Sequence, residues 1–136
     1  MSFQYNKSNN IHLADILKSI SDDQSLSIFE LIADANFNGE IILKKFGLSR
    51  KQYYSRISGM MAAGLIKRKG GIYYLTPFGK VIYRCITIAK NALDNYYNLK
   101  AVECVEGSDF SNEEFNKLLD TLIDNKQVKE LLTKKC

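Results

Sequence analysis

Between Gly64 and Thr76 the sequence changes period, and that change limits the folds open to the chain. Leu65-Ile66-Lys67-Arg68-Lys69 and Ile72-Tyr73-Tyr74-Leu75 are β-prone runs on either side of Gly70-Gly71, the signature of a tight hairpin. The rest reads as helix. The predicted fold is therefore mainly α with one small β-hairpin wing.

Helical spacing marks out the remaining elements. Leu13, Ile16, Leu17 and Ile20 recur within Ile11 to Ile20. Ser21-Asp22-Asp23-Gln24 has the form of a capping box and opens a helix to about Ala35, with Ile28, Phe29, Leu31 and Ile32 inward. A short helix follows from about Gly39 to Phe46 and stops at Gly47, where a left-handed residue is needed. Ser49-Arg50-Lys51-Gln52 is a second capping box, opening a helix that reaches about Ala63. Its stripe of Tyr53, Ile57 and Met60 faces inward. Two short helices joined by a tight turn, the second apolar behind and basic in front, form a helix-turn-helix. Gly59 stands inside that second helix, costing ~1 kcal/mol relative to alanine.

Thr76-Pro77 restarts a helix, with the threonine as cap and the proline at the first helical position. No breaker intervenes before Gly107, so one long helix is predicted from about Pro77 to Val105, roughly 40 Å. Phe78, Ile82, Cys85, Ala89, Ala92, Tyr96 and Leu99 step along it as a heptad seam. Val81, Ile86, Ile88, Leu93, Tyr97 and Val102 form a second apolar set. A helix apolar on two sides needs two partners, its own domain and something else. A second copy of the chain is the expected partner, with Ile82, Cys85, Ala89, Ala92, Tyr96 and Leu99 at the dimer interface. A third capping box, Ser111 to Glu114, opens an amphipathic helix through Ile123, and a last turn or two surrounds Val128, Leu131 and Leu132. This punctuation divides the chain into residues 11–76 and residues 77–136.

The charges are segregated. The total is only +4, from 19 Lys and Arg against 15 Asp and Glu, but no acid occurs from Ile41 to Leu93. That window carries eleven basic residues, leaving −7 on the flanks. Random placement would leave such a gap with odds of roughly one in a thousand, so the pattern is real. A segment so depleted of acid attracts a polyanion, and nucleic acid is the commonest one.

The stretch LSRKQYYSRISGMMAAGLIKRKGGIYYLTPFGKVI, Leu48 to Ile82, resembles the winged helix-turn-helix of prokaryotic transcriptional regulators of the MarR, ArsR and PadR kind. It is most similar to small archaeal regulators with an extended C-terminal helix. The features that carry the likeness are the capped helix, the Ala63-Gly64-Leu65-Ile66 exit into the wing and Leu75-Thr76-Pro77-Phe78-Gly79 entering the next helix. It covers about Leu26 to Ile88. The resemblance implies that Arg50, Lys51, Gln52, Tyr54, Ser55 and Arg56 lie on the exposed face of a recognition helix, residues 49–63, in the major groove. It implies that the wing, residues 67–71, carries Lys67, Arg68 and Lys69 to the backbone or minor groove, and that Lys44 and Lys45 flank the backbone. Tyr53, Ile57, Met60, Leu65 and Leu75 become core. Ser58-Gly59 departs from the charged or bulky residues usual there.

The function expected is sequence-specific binding of double-stranded DNA by a homodimeric transcriptional regulator. An architectural chromatin protein with little sequence preference and an adaptor for an acidic protein surface are the alternatives. An effector ligand or protein partner is left open. No enzyme is expected, because the chain has one histidine and no catalytic constellation. No cofactor is expected, and no metal, since His12 has no ligand cluster around it. No apolar run spans a membrane, Met1 to Asn10 has no apolar core of a secretory signal, and three scattered cysteines make no disulfide framework. A cytoplasmic, nucleoid-associated protein is expected.

Overall fold

The structure is a computed structural model and describes residues 11–35 and 37–135. Met1 to Asn10, Asn36 and Cys136 lie outside the described residues. The element order is α1 (Leu13–Lys18), α2 (Asp23–Asp34), α3 (Gly39–Phe46), α4 (Arg50–Ala62), β1 (Ile66–Lys69), β2 (Ile72–Leu75), α5 (Pro77–Asp94), α6 (Tyr96–Glu106), α7 (Asn112–Leu122) and α8 (Lys126–Leu132). The chain gathers into two compact units, one ending at Tyr83 and one beginning at Arg84. The boundary between these units falls inside α5, whose first turn packs on the Leu65 backbone ahead of the hairpin.

In the first unit, α2 buries Ile28, Phe29 and Ile32, α3 buries Ile42, and α4 buries Tyr53, Ile57 and Met60. Leu65, Ile66, Tyr73 and Leu75 of the hairpin segment join this core, as the helical and strand spacings require. The hairpin is antiparallel, with Ile66 opposite Leu75 and Lys69 opposite Ile72. Gly70 and Gly71 at its tip have φ of 60° and 78°, the pair of left-handed residues that matches the strand twist. One pairing had no local signal. Asn38 bridges to Ile72, and the Tyr73 amide donates to the Phe37 carbonyl at 3.1 Å, so the segment before α3 lies along the wing.

Thr76 fastens α5 to the hairpin. Its hydroxyl donates to the Gly64 carbonyl at 2.5 Å and accepts from the Gly79 amide at 2.9 Å, while its own amide donates to the Leu65 carbonyl at 3.0 Å. The helix comes so close that a Cβ on Gly79 would stand 2.0 Å from the Leu65 carbonyl oxygen. The Leu-Thr-Pro-Phe-Gly run is thus a capping and close-packing device.

Three local expectations are revised. Asp22, and not Ser21, caps α2, accepting from the Ser25 amide at 2.9 Å. A carboxylate is favoured at a helix start by the exposed amides and the helix dipole, and Ser21 instead donates to the Lys18 carbonyl. The first helix is shorter than Ile11 to Ile20; Ile16 and Ile20 are buried, but Leu13 is 63% exposed and Leu17 also faces outward. The long helix from Pro77 to Val105 is interrupted at Asn95, whose φ of −104° and ψ of 21° leave helical geometry. The cause is side-chain competition: Asn95 Nδ2 donates to the Asn91 carbonyl at 2.8 Å, and the Asn95 amide is drawn between the Asn91 and Ala92 carbonyls.

The second unit has its own small core of Val102, Phe115, Leu119, Ile123 and Val128. Ser111 caps α7 and Asn125 caps α8. Asn116 clasps residue 134, its Nδ2 donating to the Lys134 carbonyl at 2.8 Å and its Oδ1 accepting from the Lys134 amide at 2.9 Å. No described helix is long and apolar enough to cross a membrane.

Candidate nucleic-acid interface

Ser49 and Gln52 start α4 with a complete capping box. Ser49 Oγ accepts from the Gln52 amide at 3.2 Å, and Gln52 Oε1 accepts from the Ser49 amide at 3.1 Å. The Gln52 carbonyl oxygen is therefore committed to the helix start, leaving its side-chain NH2 free to donate outward. Arg50, Lys51, Gln52, Tyr54 and Ser55 are exposed along this helix, and Tyr53, Ile57 and Met60 are buried behind them. The separation follows from helical spacing alone.

Lys44 and Lys45 are exposed in the last turn of α3, where cations also suit the helix dipole. Lys67, Arg68 and Lys69 are exposed on β1, and the Arg68 guanidinium lies 5.8 Å from the centre of the Tyr73 ring. Among the described residues none of these seven cations, Lys44, Lys45, Arg50, Lys51, Lys67, Arg68 and Lys69, is paired with a carboxylate. Their charge remains available to an outside anion.

Arg56 is different. Its side chain is 24% exposed, and its guanidinium donates to Asp22 Oδ1, to Ser25 Oγ at 2.8 Å and to Gln24 Oε1 at 2.9 Å. It was expected on the outer face of the recognition helix; it instead ties the middle of α4 to the start of α2. Burial acts to raise the Asp22 carboxyl, but the Ser25 amide and hydroxyl and the Arg56 charge outweigh it and hold the group below its ordinary 3.8.

The wing and the start of α4 converge on one cleft of about 250 Å³, lined by Asn38, Gly39, Glu40, Leu43, Arg50, Tyr53, Tyr54, Arg68, Gly71 and Tyr73. Its floor is a buried phenol pair, with Tyr53 donating to Tyr73 at 2.7 Å. Burial, reinforced by the Tyr73 hydroxyl, pushes the Tyr53 phenol well above its usual value, so it stays neutral and keeps its proton for that bond. Spacing did not reveal this cleft, because its walls come from three segments brought together only by the tertiary fold.

The expected dimer seam is used unevenly. Ile82 is buried in the first unit, and Ala92 and Leu99 pack against the core of the second. Cys85, Ala89 and Tyr96 remain exposed, as do Leu93 and Tyr97, the latter by 84%. Cys85 and Cys104 are free thiols.

No protein-family model matches the chain, and no curated protein does. A solved structure is similar: the homodimeric winged helix-turn-helix DNA-binding domain (fragment 1–100) of a possible ArsR-family transcriptional regulator from Mycobacterium bovis. The two share 17% identity over 68% of this chain and 92% of the other, with a TM-score of 0.53. The capped helix pair, the glycine-tipped hairpin and this likeness together give the chain a winged helix-turn-helix fold.

Proposed function

We propose that the chain is a homodimeric, sequence-specific binder of double-stranded DNA that regulates transcription. The carrying observation is the set of seven unpaired, exposed cations on α3, α4 and β1 of one compact unit. In this reading α4 enters the major groove, presenting Arg50, Lys51, Gln52, Tyr54 and Ser55 to base edges and phosphates. Lys67, Arg68 and Lys69 hold the wing on the backbone or in the adjacent minor groove, and Lys44 and Lys45 flank the backbone. Arg56 orients α4 from behind. Residues 11–76 form the DNA-binding domain, and residues 77–136 dimerise it through the outward part of α5 and α6. The activity is binding, not catalysis. The similar Mycobacterium bovis domain, homodimeric and DNA-binding by its description, supports this reading.

Selection from a random duplex library tests it. A regulator of this kind should enrich paired half-sites about one helical turn apart, or a multiple of that spacing. Binding without enrichment would favour the architectural alternative, and absence of binding would contradict DNA recognition altogether.

A further inference from the structure

We propose that the cleft between α3, α4 and the wing binds a free nucleoside monophosphate, and that this ligand competes with duplex DNA. The site itself stands on the cleft, whereas the competition rests on the proposed DNA-binding function.

Two guanidinium groups line the cleft, Arg50 and Arg68, and neither has a carboxylate partner among the described residues. Planar guanidinium forks match phosphate oxygens in pairs. Beside them stands the start of α3, where Asn38 caps only the Ile41 amide. The Glu40 amide has no acceptor among the described residues, so the helix start adds a donor and a partial positive charge to the same wall, while the Gly39 amide is taken up by the bridge between Asn38 and Ile72. These groups together define an anion site.

The rest of the lining argues for more than bare phosphate. Tyr54 is exposed and offers aromatic surface on which a base can stack. Glu40 is exposed and is the one carboxylate in the lining. It repels an isolated anion but accepts hydrogen bonds from the amino and ring N–H groups of a base such as guanine. Cations for phosphate, a ring for stacking and an acceptor for a base edge are the parts of a mononucleotide site. A paired base in a duplex cannot enter without extrusion, which costs unstacking, so a free nucleotide is the favoured occupant. Since Arg50 and Arg68 also belong to the proposed DNA face, one occupant excludes the other.

The test is titration of the isotope-labelled full chain with guanosine 5′-monophosphate, guanosine and inorganic phosphate, followed by amide chemical shifts. The monophosphate should saturate, shift the amides of Gly39, Glu40, Arg68 and Gly71, and bind at least ~10-fold tighter than either fragment. Tyr54→Ala should weaken it ~10-fold and leave phosphate binding unchanged. Glu40→Gln should weaken the nucleotide and strengthen phosphate. A nucleotide no tighter than phosphate, shifts confined to other surfaces, or indifference to both substitutions would overturn the site. In a parallel anisotropy measurement the nucleotide should displace a bound duplex, and simultaneous binding would overturn the competition. If the nucleotide binds as described and no duplex binds at all, the DNA reading fails and the site stands.

Discussion

Gly59 and Gly79 show how differently one residue type is used in adjacent helices. A Cβ at Gly59 meets nothing within 4 Å, whereas at Gly79 it meets the Leu65 backbone. Gly59→Ala should therefore stabilise the protein, by up to ~1 kcal/mol in chemical denaturation. Gly79→Ala should destabilise it by about 1–3 kcal/mol, because backbone has to move. Arg56 is the residue whose role was least legible in advance. Helical spacing set it among the outward cations, but its partners lie more than 30 positions earlier in the chain. Arg56→Ala should cost about 1–2 kcal/mol of stability, since it strips a partner from nearly buried Ser25. It should leave the salt dependence of duplex binding unchanged, whereas a phosphate-contacting lysine would reduce that slope by about one. Asp22 has a folded-state value below its unfolded 3.8. Its contribution to stability is present above that pH and is lost as pH falls through the folded-state value. Asp22→Asn should remove this acid-side dependence, seen in unfolding curves collected below pH 3.8.

Elements were legible where their signals are local. The Ser49 capping box, the glycine-tipped hairpin and the Thr76-Pro77 restart each lie within a few residues, and each forms as the spacing implies. The Asn95 break was not legible, because asparagine ends a helix only when its side chain captures a nearby carbonyl in place of solvent. The bridge from Asn38 to Ile72 was hidden for a different reason, since its two sides are held together by the packing of the whole unit. The wing has an element-level consequence of its own. Lys67 and Lys69 are exposed and unpaired, so Lys67→Ala with Lys69→Ala should weaken binding to all duplexes alike. The salt slope should fall by about two, with relative preferences among sequences preserved.

For the molecule as a whole, the modest sum of +4 conceals a division of labour. The basic window falls largely on the winged unit and its leading helix, and the acids fall on its flanks. The cations on α3, α4 and β1 are left without internal partners, while Arg56 is consumed by the fold. The apolar residues of α5 and α6 divide in the same way: Ile82, Ala92 and Leu99 of the seam join the cores of their own chain, whereas Tyr96 of the seam and Leu93 and Tyr97 of the second apolar set are left outward. Light scattering with size exclusion should therefore find twice the 15.5 kDa chain mass. Leu93→Asp with Tyr97→Asp should return it to a single chain and weaken duplex binding. The measurement that bears most directly on the basic face is duplex affinity as a function of salt. Seven free cations, each neutralising one phosphate at about −0.9, predict a log–log slope of about −6 per chain; a flat dependence between low and high salt would contradict it.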